Sequence, residues 1–112
     1  MAEDLFSNID VTPREVKELL ARGEKIFLVD VREPWEYATC RIEGATLISM
    51  QDIPNSLARF EQADDVVLFC HHGMRSRDTA AWLRSQGVEG ARSMSGGIER
   101  WAVDVDPRVP RY

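Results

Sequence analysis

Two short apolar runs constrain this chain more than any other feature, because neither of them alternates. Lys25-Ile26-Phe27-Leu28-Val29-Asp30-Val31 and Asp65-Val66-Val67-Leu68-Phe69 are rich in β-branched residues and carry apolar side chains on both faces of a strand. Such strands are stable only where both sides of their sheet are covered, as in a parallel sheet with helices packed on each face. The stretches between and beyond them have helical apolar spacing. The sequence therefore predicts an α/β fold in three layers, a small parallel β-sheet flanked by helices. Its 112 residues suffice for one core and would leave each half too small for a second. Residues 1–112 are expected to form a single domain, with the core at about 11–102 and a C-terminal tail at 103–112.

Local signals set the elements. Thr12-Pro13-Arg14-Glu15 opens a helix: Thr12 can cap, Pro13 suits the first turn, and Glu15 can close the capping box. Val16, Leu19 and Leu20 form its apolar face, Val11 can staple against Val16, and Gly23 ends the pattern. Glu33 to Ala38 predicts a short helix, Ala45 to Ser49 a strand, and Ile53 to Phe60 a helix with Pro54 near its start. The second apolar run leads into Cys70-His71-His72-Gly73-Met74-Arg75-Ser76, followed by a helix to Gln86 that stops at Gly87. Ala91 to Met94 predicts a last strand, and a short helix follows Ser95-Gly96-Gly97 through Ile98 and Trp101. The tail from Asp104 to Tyr112, with two prolines, is expected to lie as an extended strap. Trp35, Trp82 and Trp101 are read as packing residues.

Ligands of parallel sheets bind beyond the carboxyl ends of the strands, and both Asp30 and Cys70 stand at such ends. A cysteine where strand turns to loop and loop to helix faces successive N–H groups and the positive end of a helix dipole, which together favour an anion. Free thiols titrate near about 8.5, and comparable surroundings bring them to roughly 3.5–7.5. Gly73 permits a tight turn or a close ligand approach, and Arg75 and Arg77 put positive charge at the rim. Ser76 can cap the helix or donate to a bound substrate, with the cap preferred.

Other chemistries fit less well. A net charge of −5 with scattered basic residues argues against nucleic acid as a partner. The apolar runs are far shorter than the roughly 20 residues that span a bilayer, and the first residues lack a signal peptide's basic start and apolar stretch, so no membrane association and a cytoplasmic location are expected. Two cysteines are too few for a disulfide scaffold. His71 and His72 are adjacent on a curved loop and diverge, so no metal site is expected. Neither histidine comes from elsewhere in the sequence to serve a Cys–His protease pair.

Four segments together resemble the rhodanese family, in the family's order. They are Asp30-Val31-Arg32-Glu33-Pro34-Trp35-Glu36-Tyr37, Arg41-Ile42-Glu43-Gly44-Ala45, Cys70 through Ser76, and Gly96-Gly97-Ile98-Glu99-Arg100-Trp101. The resemblance runs from Val11 to Trp101 and implies a rhodanese-like fold. It implies Cys70 as a sulfur-accepting nucleophile and a loop of His71, His72, Gly73, Met74 and Arg75 whose N–H groups cradle a persulfide. Asp30 and Arg32 would then buttress that loop from the neighbouring strand end. Four residues separate Cys70 from Arg75, as in the family's sulfurtransferases; the related cysteine phosphatases have a loop one residue longer.

The resemblance further implies sulfur transfer from thiosulfate or another donor to cyanide or a thiol acceptor, with no metal or organic cofactor. The rival reading is a carrier that receives persulfide from a protein donor and delivers it to a protein acceptor. The chain departs from the family where Gly-His commonly precedes Ile-x-Gly-Ala, because it has Cys40-Arg41 there. Cys40 is read as a small buried residue, with a resolving or redox role as the alternative. His71 and His72 stand as candidates for donor specificity or as solvated loop residues.

Overall fold

The computed structural model describes residues 4–112. Five strands form one sheet: β1 (Asp10–Val11), β2 (Phe27–Asp30), β3 (Thr46–Leu47), β4 (Val66–Phe69) and β5 (Ala91–Met94). Their order is β1-β5-β4-β2-β3 and every neighbouring pair is parallel. β2 and β4 lie side by side in the register Phe27↔Val66 through Asp30↔Phe69. That register brings the carboxyl ends of the two predicted central strands together. Helices α1 (Pro13–Ala21), α2 (Pro34–Thr39), α3 (Leu57–Glu61), α4 (Met74–Ser85) and α5 (Gly97–Asp104) complete the fold.

The unalternating runs behave as predicted, with successive side chains entering different cores. Val66 and Leu68 of β4, with Val29 of β2, pack among Phe60, Ala80 and Leu83 on one face. Val67 and Phe69, with Leu28, pack among Val16, Ile98 and Trp101 on the other. A period of two buried on both sides yields three layers. α1 begins at the predicted cap: Thr12 Oγ1 accepts from Glu15 N–H at 3.1 Å while Glu15 Oε1 accepts from Thr12 N–H at 3.0 Å.

Two expectations need correction, and one strand adds to them. β1 was not foreseen, since two residues carry no periodicity; it exists because Ser93 and Ser95 N–H groups reach the Ile9 and Val11 carbonyls at 2.7 and 2.9 Å. The helix expected over Ile53–Phe60 is broken, with 3₁₀ turns at Met50–Asp52 and Pro54–Ser56 before α3. Pro54 has no N–H to continue a ladder and its ring obstructs the preceding turn. The tail is turned rather than extended, for Val109 N–H closes on the Asp106 carbonyl at 3.1 Å and Asp106 Oδ1 accepts from Arg108 N–H at 3.1 Å. Among the described residues no helix is long and apolar enough to cross a membrane.

Candidate active site

Cys70 follows β4 directly and is buried. Gly73, in the left-handed region at φ 107°, turns the chain into α4 so that the first turn of that helix faces back toward the sulfur. Cys70 Sγ accepts from Gly73 N–H at 3.0 Å, from Ser76 N–H at 3.5 Å and from the Ser76 hydroxyl at 3.5 Å. The Ser76 hydroxyl also lies 3.2 Å from the Gly73 carbonyl and 2.8 Å from Ser93 Oγ, and both serines are buried. Donors gathered on a buried sulfur stabilise negative charge there.

A second glycine turn secures the loop from outside. Gly96 and Gly97 both have positive φ, and α5 starts so close to the loop that Ile98 N–H donates to the Cys70 carbonyl at 2.9 Å and Glu99 N–H to the His71 carbonyl at 3.1 Å. The first turn of α5 thus uses its orphan donors on the carbonyls of the sulfur loop. A Cβ at Gly97 would overlap both carbonyl oxygens. Only glycine allows this approach.

Charge pairs close the remaining side. Asp30 and Arg32 form a fully buried pair at 2.7 Å, and Arg32 also donates to the Cys40 carbonyl at 2.6 Å and the Glu36 carbonyl at 3.3 Å, which ties β2 to α2. Glu36 holds Arg75 through two bonds of 2.7 and 3.0 Å. The Arg75 guanidinium, aided by Glu33 N–H and the Tyr112 hydroxyl and opposed by burial, brings Glu36 down from its ordinary 4.5 to about 2. Tyr112 OH bridges the two pairs, accepting from Arg32 at 2.7 Å and donating to Glu36 at 2.7 Å. The two loop histidines do not diverge as expected, for the His71 ring stacks on His72 at 3.9 Å and on Tyr112 at 3.9 Å. Burial, then the neighbouring His72, lowers the tendency of His71 to take a proton.

With this geometry in hand, residues 12–104 match the Rhodanese-like domain. The chain belongs to the rhodanese family. It is 32% identical over 99 residues to the thiosulfate sulfurtransferase GlpE of Glaesserella parasuis, covering 88% of this chain and 89% of that protein. It is 36% identical over 104 residues to the probable adenylyltransferase/sulfurtransferase MoeZ of Mycobacterium tuberculosis, covering 91% of this chain but only 26% of that longer protein. The structure of the human single-domain sulfurtransferase TSTD1 superposes with a TM-score of 0.77 at 30% identity, covering 86% of this chain and 96% of that one.

Several sequence-derived residues of this rhodanese sit otherwise than expected. Ser76 does not cap α4, whose N-cap is Gly73; its hydroxyl turns inward to the sulfur. Arg75 is bound by Glu36 rather than free at the rim, and Arg77 faces Asp10 at 3.6 Å and the Phe6 ring at 4.7 Å. Asp30 and Arg32 brace α2 and the Cys40 segment, and Arg32 reaches the sulfur loop through Tyr112. Trp35 is exposed rather than packed in a core, and touches Tyr112 edge-on at 6.0 Å. His72 and Met74 are exposed beside the buried Cys70. Cys40 and Cys70 are both free and buried, in different cores.

Sequence reasoning assigned no role to Glu36, Ser93 or Tyr112, and quoted Gly97 only within a motif. The glycine pair was the available signal, because consecutive glycines before a helix mark a close backbone approach. Nothing near Tyr112 in the sequence points to the loop.

Proposed function

We propose that this rhodanese is a sulfurtransferase working through a persulfide on Cys70. The observation that carries the reading is the buried Cys70 sulfur held by Gly73 N–H, Ser76 N–H and the Ser76 hydroxyl. In the first step the Cys70 thiolate attacks the outer sulfur of a donor such as thiosulfate. The S–S bond of the donor breaks and sulfite leaves with the electron pair. In the second, cyanide or a thiolate attacks the outer persulfide sulfur, taking it as thiocyanate or a new persulfide and returning Cys70 as thiolate. Both steps move negative charge on sulfur, so fixed N–H dipoles serve throughout and no cofactor is required.

The remaining residues have subsidiary roles in this scheme. Gly73 and Ser76 hold the charge, while His71, His72 and Met74 shape the entrance. Arg75 contributes its backbone to the loop and its side chain to the Glu36 pair, and Asp30 with Arg32 supports the adjoining framework. Because the Arg75 guanidinium is engaged bidentately, it is not arranged to clamp the oxygens of a phosphate, which favours sulfur over phosphoryl chemistry. A protein-fed carrier role is the second reading, drawn from MoeZ, where the matching segment is part of a longer chain.

The test is the intact mass of the protein before and after thiosulfate, and again after cyanide, beside Cys70→Ser. A gain of one sulfur, about 32 Da, that needs Cys70 and is removed by cyanide is the expected result for covalent transfer. No gain with thiosulfate, but a gain from a persulfidated protein donor, would favour the carrier. No gain from either would overturn the persulfide reading.

A further inference from the structure

We propose that Tyr112 is a positioning residue of the sulfur site, clamping His71 so that the loop between Cys70 and Gly73 keeps a single shape. The clamp is read from contacts alone; its effect on turnover rests on the sulfur-transfer reading above. Tyr112 lies beyond the residues matched to the family, 12–104.

The tail is built to return. Asp106 Oδ1 accepts from Arg108 N–H at 3.1 Å and from Arg108 Nε at 2.9 Å, which fixes a turn directly after α5. Val105, Val109 and Tyr112 pack onto the core that contains Ile98 and Trp101 of α5. Arg111 Nε then reaches Glu99 Oε2 at 2.9 Å, placing the tail beside the first turn of α5.

Two adjacent tail residues consequently act on one loop residue. Arg111 holds the side chain of Glu99, whose N–H holds the His71 carbonyl at 3.1 Å. Tyr112 lies flat on the His71 ring, 3.9 Å away with planes 9° apart, and His72 covers His71's other face at 3.9 Å and 25°. Among the described residues His71 Nε2, which is buried, has no hydrogen-bond partner, so the ring is held there by its faces and not by that nitrogen. The Tyr112 hydroxyl is fixed in both senses, by Arg32 as donor and Glu36 as acceptor, so its ring cannot leave without breaking two charge-assisted bonds. The same commitment excludes Tyr112 as a proton donor to substrate, since its O–H is directed at the Glu36 carboxylate.

The ends of the loop are anchored independently, Cys70 by β4 and Gly73 by α4. His71 and His72 lie between these anchors; Glu99 N–H holds the His71 carbonyl, and the tail fixes the His71 ring before substrate arrives, which is preorganisation.

Tyr112→Ala and Tyr112→Phe test this in the full chain, by NMR of the histidine ring protons over a pH series and by the rate of Cys70 alkylation with iodoacetamide. Tyr112→Ala should shift the His71 ring signals downfield and raise the pH at which His71 titrates, since the burial that opposes its protonation is partly lost; the charged or titratable groups facing it are His72, Glu36, Glu99 and Arg32. The alkylation rate should change, and thiosulfate–cyanide turnover should fall about tenfold, mainly in kcat. Tyr112→Phe should keep the ring shift and lose about twofold to threefold in turnover. If Tyr112→Ala fails to fold, Tyr112→Leu, which keeps apolar volume without the ring, takes its place with the same expected shifts. Wild-type His71 signals, titration and alkylation in Tyr112→Ala, or in Tyr112→Leu, would overturn the clamp. A chain with no thiosulfate turnover at all would count against the function proposed above and leave the NMR and alkylation results to judge Tyr112.

Discussion

A Cβ built on Gly97 falls inside the van der Waals surfaces of the Cys70 and His71 carbonyl oxygens and lies 2.6 Å from the His71 carbonyl carbon, on a backbone with φ of 61°. Gly97→Ala therefore costs twice. An L-residue in the left-handed region loses about 1–2 kcal/mol. Relieving the overlap requires the loop and α5 to separate by roughly 1 Å, given ordinary carbon contact distances. That weakens the bonds from Ile98 N–H to the Cys70 carbonyl and from Glu99 N–H to the His71 carbonyl, each worth about 0.5–1.5 kcal/mol. The total is about 2–5 kcal/mol, a large part of the stability of a small domain. Gly23→Ala is the control, because φ there is 77° and no atom of the described residues lies within 4 Å of its Cβ; it should cost only the backbone share, about 1–2 kcal/mol. Urea unfolding of both variants and thiosulfate loading of Cys70 by mass are the assays. A loop displaced by about 1 Å should lower transfer by on the order of 100-fold in Gly97→Ala, and Gly23→Ala should load normally. If Gly97→Ala is no less stable than Gly23→Ala and loads as wild type does, the α5 contact is not what holds the loop.

Glu36→Gln should destabilise the protein at pH 7 by on the order of 2–3 kcal/mol. Because the folded-state value of about 2 lies below the ordinary 4.5, the contribution is complete above 4.5 and disappears as the pH falls through about 2. Wild type and Glu36→Gln should converge in urea melts taken across that window, and a pH-independent gap would contradict the role given to ionised Glu36. Cys40→Ala should load and release sulfur at wild-type rates, with a loss of about 1 kcal/mol from a small buried side chain and its weak contact to Arg32; lost cycling in the mass assay would restore the resolving role.

The sheet and the position of Cys70 were legible because both depend on local pattern. Residues 25–31 and 65–69 announce doubly covered strands, Thr12 and Glu15 announce a capped helix, and Cys70 sits at the junction of strand, loop and helix. The partner of Arg75 was not legible for the converse reason. A guanidinium's partner is set by whatever the fold brings opposite it, here Glu36 from a helix 39 residues earlier.

By itself the sequence determined the layer order, the parallel sense of the sheet and a cysteine aimed at backbone donors, since apolar period, turn residues and caps act within a few residues of one another. Tertiary structure alone decided what surrounds that cysteine: the Gly97 approach, the Ser76–Ser93 pair and the clamp of Tyr112 on Arg32, Glu36 and His71. Tyr112 meets Glu36 and Arg32 across 76 and 80 residues of chain. Contacts at such separation are fixed by strand register and helix packing, and no local pattern encodes them.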